Sequence, residues 1–124
     1  MKSAEAGNDN AQYKLGYFFE FGIGTNQDEK NAFEWYLKSA EAGNDNAQYK
    51  LGYLFEIGIG TNRDEKKAFE LYLNSAKNGN SFAQYNLGSC YLFGKGINRD
   101  EKQAIKWFSK STKNGNGQTI IIKT

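Results

Sequence analysis

Apolar and small residues recur along this chain at helical spacing, in two alternating sets. In the first, Ala11, Leu15, Phe18 or Phe19 and Gly22 stand at i, i+4, i+7/8 and i+11, one face of an α-helix. In the second, Ala32, Trp35, Tyr36, Ser39 and Ala40 do the same. Both sets then return: Ala11 is followed by Ala47 and Ala83, and Ala32 by Ala68 and Ala104, each 36 residues on. A period of that length marks a supersecondary unit stacked into an array. The pattern predicts an all-α protein, an α-solenoid of antiparallel helix pairs. Its units are residues 8–43, 44–79 and 80–115. First helices are predicted at about 8–21, 44–57 and 80–93, and second helices at about 27–42, 63–78 and 99–114.

Local signals agree with that division. Asn8, Asn44 and Asn80 stand where an N-cap is wanted for the first helices. Those helices end at Gly22-Ile23-Gly24, Gly58-Ile59-Gly60 and Gly94-Lys95-Gly96, where glycine reverses the chain at little steric cost. Asn26-Gln27-Asp28-Glu29 reads as an Asn-x-x-Glu capping box for the second helix, and Gly43, Gly79 and Gly115 as its C′ glycines. Glu34 and Lys38 stand in the favourable i,i+4 order on its outer face. Gly16, Gly52 and Gly88 lie in mid-helix, at a cost of about 1 kcal/mol each relative to alanine. Close approach of the second helix offsets that cost, with Ala32, Ala68 and Ala104 as the expected small partners.

Together these residues resemble the Sel1-like repeat. Ala11, Leu15, Gly16, Phe19, Gly22, Gly24, Asp28, Ala32, Trp35, Tyr36, Ala40 and Gly43 carry the resemblance, and the later copies fill the same positions. Departures are Leu71 for the tryptophan in copy two, Thr112 for the second alanine in copy three, and Thr25 and Thr61 where the family usually has valine. The resemblance implies a right-handed superhelix with the first helices lining its concave side, and an adaptor role in protein assemblies. Residues 2–10 match residues 38–46 one for one, so residues 1–7 read as the tail of a preceding repeat helix, and a longer native array is expected. Residues 116–124 break the pattern. Ile120, Ile121 and Ile122 favour extended structure, as a frayed end or as a strand covering the last pair.

Composition narrows the function classes. A net charge of +2 arises from 16 basic and 14 acidic residues spread through every copy, unlike the one-sided basic face of a nucleic-acid binder. No apolar window approaches bilayer length, so no membrane is expected as a partner. There is no histidine, which removes Ser-His and Cys-His pairs, and no cofactor or metal is expected. Gly22-x-Gly24 follows a helix and lacks the Gly-Lys-[Ser/Thr] ending of a phosphate loop. The single Cys90 excludes an internal disulfide framework and favours a reducing, cytoplasmic setting. It replaces Phe18 and Leu54 and reads as a small buried hydrophobe, while Tyr13, Tyr49 and Tyr85 read as packing residues. Some secreted bacterial relatives are associated with β-lactam binding or hydrolysis, but they carry a cysteine pair in each repeat. The expected role is therefore a non-enzymatic scaffold that binds other proteins or peptides, or a spacer within a larger protein.

Two surfaces follow. With Ala11, Leu15 and Phe19 assigned to the core, Lys14, Tyr17 and Phe21 form a separate stripe at i, i+3 and i+7. Its equivalents are Lys50, Tyr53 and Ile57, then Asn86, Ser89 and Phe93. This stripe is the expected protein-binding groove; the competing use of Phe21, Ile57 and Phe93 is to close the turn against Ile23 and Ile59. The ends lack polar caps, with Leu15 and Phe19 uncovered at one and Trp107 and Phe108 at the other, so end-to-end self-association is expected.

Overall fold

The computed structural model describes residues 8–114 of the chain. It contains six α-helices: α1 (Asp9–Phe21), α2 (Glu29–Glu41), α3 (Asp45–Ile57), α4 (Glu65–Lys77), α5 (Ser81–Phe93) and α6 (Glu101–Lys113). No strand occurs among the described residues. Residues 1–7 and 115–124, with the expectations for the preceding helix tail, the C-terminal tail and Gly115, lie outside them. Each helix is 13 residues long, a length that is marginal in isolation. Stability therefore comes from packing, and that packing is sequential: α1 on α2, α2 on α3, and so on to α6. The pairs are antiparallel, since Asp9 at the start of α1 meets Ser39 near the end of α2 while Glu20 near the end of α1 meets Tyr36.

Asn8, Asn44 and Asn80 cap the first helices through their side-chain oxygens, which accept from the backbone N–H of Ala11, Ala47 and Ala83. Gly22, Gly58 and Gly94 close those helices in the left-handed region at φ 67°, 85° and 69°. The second helices start later than expected. Asp28, Asp64 and Asp100, rather than Asn26 and its equivalents, are the N-caps, each accepting at 3.1 Å from the N–H three residues on. The reason is tertiary: the Asp28 N–H donates back to the Phe19 carbonyl at 2.9 Å, and Asp64 and Asp100 repeat the bond to Phe55 and Tyr91. That tether fixes where the loop ends and the helix begins. Lys38 also departs from expectation, lying 4.5 Å from the Trp35 ring centroid rather than against Glu34.

Gly16, Gly52 and Gly88 do mark a close approach of the second helix, with an aromatic ring as the nearest partner of each; at Gly52 the expected alanine also approaches, the Ala68 carbonyl standing 3.3 Å from where a Cβ would be. A Cβ at Gly16 would stand 2.6 Å from Cδ1 of Tyr36; at Gly52 and Gly88 it would stand 2.8 Å from Tyr72 and Phe108. Those rings are buried against the missing side chains. Tyr13, Tyr49 and Tyr85 pack on the same three rings at centroid distances of 5.7, 6.2 and 5.4 Å, and Cys90 is buried in the core. A second tie recurs beside them. Ser39, Ser75 and Ser111 are fully buried and donate to the carbonyls of Asp9, Asp45 and Ser81.

Units are joined by apolar and polar contacts. Phe33 stands edge-on to Phe55 and Phe69 to Tyr91, both at 5.4 Å. The cap residues Asn44 and Asn80 also turn their amide nitrogens to Asn10 and Asn46 of the preceding unit, at 3.1 and 2.9 Å. At the C-terminal end Trp107 and Phe108 are buried, Trp107 in a core cluster that includes Ala68, Phe69, Tyr72 and Ala76 of α4, contrary to the expectation that they face outward; the exposed large apolar residue of α6 is Ile105.

Candidate protein-binding face

The first helices present one face to their partner helices and another outward. On the inner face Leu15, Leu51 and Leu87 are buried. The outward stripe is free of that packing: Phe21 and Ile57 are each 53% exposed and Phe93 is 66% exposed, with Lys14, Tyr17 and Tyr53 also exposed. Closing the turn therefore leaves half or more of each of these side chains in contact with solvent. Ser89 is half-buried, and Asn86 sits half-buried beside Tyr49 and Tyr72.

Contacts carry the stripe from the first unit into the second. The Tyr17 and Phe21 rings meet at 4.8 Å. Lys50 Nζ, from the second unit, lies 5.3 Å from the Phe21 ring and 5.7 Å from the Tyr53 ring, bridging the two copies. Lys95 makes the next bridge, 5.7 Å from the Phe93 ring and 3.1 Å from Glu56 of the unit before it.

Lys50 belongs to the stripe expected to meet a partner, and its surroundings also give it a structural role. Its ammonium is 3.0 Å from Glu20 Oε1 and its side chain is largely covered. Glu20 is buried and also accepts from the Tyr36 hydroxyl at 2.6 Å, so one carboxylate ties a tyrosine of its own unit to a lysine of the next. Glu56 repeats the arrangement with Tyr72 at 2.7 Å and with Lys95. Burial first, and then the neighbouring carboxylate, push the Tyr36 and Tyr72 phenols far above their ordinary value. With Lys50 and Lys95 each paired to a carboxylate, the stripe offers mainly aromatic and aliphatic surface, with Lys14 exposed at its start.

Sequence reading did not single out Glu20 or Glu56, although the copies carry a signal. Where Glu20 and Glu56 are present the second helix has Tyr36 and Tyr72; where Leu92 replaces the acid, Phe108 replaces the tyrosine. The cation changes position as well: Lys50 becomes Asn86, and Lys95 appears where the earlier units have Ile23 and Ile59.

Cys90 offers little to nucleophilic chemistry. Burial, and next the Glu56 charge, push its thiol up to about 12, so it stays protonated near neutral pH. No cluster of potential metal ligands occurs among the described residues, and no helix there is long and apolar enough to cross a membrane.

Known proteins share this architecture. A Sel1 repeat protein from Oxalobacter formigenes is 36% identical, covering 93% of this chain and 46% of its own length, with a TM-score of 0.86. A protective antigen of uropathogenic Escherichia coli that displays an SLR fold is 34% identical, covering 92% of this chain and 24% of its own, at a TM-score of 0.89. This chain thus spans less than half of either protein. Helicobacter pylori cysteine-rich protein B, 24% identical over 92% of this chain and 90% of its own, shares the fold at a TM-score of 0.71. No curated protein matches in sequence. The Sel1 repeat itself is matched three times, at residues 9–44, 45–80 and 81–116, and the chain belongs to the Sel1 repeat family.

Proposed function

We propose that this chain is a cytoplasmic, non-enzymatic interaction scaffold that takes a segment of a partner protein along the α1–α3–α5 face. Sel1 repeats generally mediate protein–protein interactions. The observation that carries the assignment is the exposed stripe of Tyr17, Phe21, Tyr53, Ile57 and Phe93, bridged by two lysines whose charges are already matched. Exposed aromatics grouped this way are the usual make-up of interface anchors. Charge neutralisation in place favours an apolar or amphipathic protein segment over nucleic acid or an anionic membrane surface.

The test is site-specific photo-cross-linking. A cross-linker at position 17, 21, 53 or 57 is expected to trap partner protein, and one at position 30 or 66, on the exposed faces of the second helices, is expected to trap none. Equal yields at both sets of positions, or none at the stripe, would leave the scaffold without this binding site.

A further inference from the structure

We propose that a cleft between α2 and α4, floored by α3, receives a tryptophan side chain of a partner protein. One position distinguishes the three units here. The first and third units carry an indole at it, Trp35 and Trp107, and the second carries Leu71. Trp107 shows what the site accommodates. It is 6% exposed and lies in one apolar cluster with Leu87, Leu73 and Tyr91, while Lys106 and Lys110 stand 5.5 and 4.7 Å from its ring centroid.

The second unit repeats that setting without the indole. Leu71 packs with Leu51, Leu37 and Phe55, which are the equivalents of Leu87, Leu73 and Tyr91. These four, with Lys67 and Glu70 at the rim, line an open cleft of about 290 Å³. Leucine is smaller than an indole, and the cleft is the space that the difference leaves. None of its residues belongs to the stripe of Tyr17, Phe21, Tyr53, Ile57 and Phe93, so the contact is separate from the one proposed above.

Size, openness and chemistry select the occupant. The cleft lies at the small end of the roughly 300–1,000 Å³ usual for ligand pockets, room for one ring system rather than a cofactor. Its rim residues Lys67 and Glu70 are exposed, so a free small molecule would keep one side wet. A side chain carried by a larger chain brings its own cover. Indole is the ring that the same surroundings already hold at Trp107, and tryptophan is among the commonest interface anchors. Lys67 Nζ stands 5.3 Å from the Phe55 ring, where an ammonium favours a second aromatic face.

N-acetyl-tryptophanamide carries the side chain between two neutral amides, as a polypeptide does. It is titrated into the chain with isotope-labelled leucine methyl groups, beside N-acetyl-alaninamide and free tryptophan. Saturable shifts of the Leu37, Leu51 and Leu71 methyl signals are expected with N-acetyl-tryptophanamide in the millimolar range, and none with N-acetyl-alaninamide. Leu71→Trp supplies the indole from within, so it is expected to abolish the response at Leu37 and Leu51 and to raise the melting temperature. Leu37→Ser introduces the residue that the third unit has as Ser109, and is expected to weaken binding by about tenfold with an unchanged circular dichroism spectrum. Absence of saturable shifts, an equal response to N-acetyl-alaninamide, or undiminished binding in either variant would overturn the proposal. Tighter binding of free tryptophan, whose two charges can face Lys67 and Glu70, would overturn the choice of a protein-borne occupant in favour of the free amino acid.

Discussion

The Tyr36 hydroxyl donates to Glu20 at 2.6 Å, and in the third unit the hydroxyl and the carboxylate disappear together, as Phe108 and Leu92. The pair behaves as one structural part because neither half is tolerable alone. A buried phenol without an acceptor, or a buried carboxylate short of a donor, leaves a desolvated polar group unsatisfied. Lys50 adds the second unit to the same carboxylate, so the part also sets how the first two units are joined.

Tyr36→Phe and Glu20→Leu are each expected to destabilise the chain by about 1–3 kcal/mol. The double variant is expected to cost less than the two together, with a coupling of about 1 kcal/mol or more. Urea denaturation of the four proteins measures this; strictly additive effects would mean the two groups do not depend on each other.

Replacing Gly52 by alanine sets two effects against each other. Helix propensity favours alanine by about 1 kcal/mol. Against it, the new Cβ would stand 2.8 Å from Tyr72, whose ring is fully buried and pinned by its bond to Glu56. Overpacking at such a site costs about 1–3 kcal/mol, so a net loss of stability is expected. Denaturant melts of Gly16→Ala, Gly52→Ala and Gly88→Ala check it, and a stabilised variant would contradict the account.

The repeat, the six helices, the Asn8-type caps and the glycine stops were legible because each is written within a few consecutive residues. What was not legible depends on who comes from elsewhere in the chain. Asn26 and Asp28 are both good N-caps, and only the bond from Asp28 back to Phe19 chooses between them. Gly16 announces a close approach but not that the visitor is Tyr36 rather than Ala32. The stripe on α1, α3 and α5 was readable from helical spacing, whereas the reach of Lys50 to Glu20 spans 30 residues and two units. Trp107 and Phe108 stand in the last repeat, where the sequence shows no following unit to cover them; Trp107 is buried instead in a cluster shared with α4 of the preceding unit, which no short stretch of sequence reveals.

Alkaline pH is expected to destabilise the fold. The Cys90 thiol is raised from 9.0 to about 12 by burial, so its stabilising contribution is complete below 9.0 and is lost as pH rises toward 12. Tyr36, Tyr72, Tyr13 and Tyr49 are raised above 10.0, again chiefly by burial, and their contribution is lost as pH rises above 10.0. The melting temperature should start to fall near pH 9.0 and drop faster above 10.0, and Cys90→Ala should flatten the first part of the decline. A melting temperature that holds constant to about pH 11 would contradict the burial of these groups.

The most direct measurement combines stability with binding in one variant. Tyr17, Phe21, Tyr53 and Ile57 are replaced together by serine or alanine, and both the melting temperature and the recovery of partner proteins are compared with the unaltered chain. Because these side chains lie outside the packed cores, the account predicts a melting temperature within a few degrees of the original and a loss of partner recovery. A collapsed melting temperature with partner recovery intact would show that the stripe belongs to the core and that the binding site lies elsewhere.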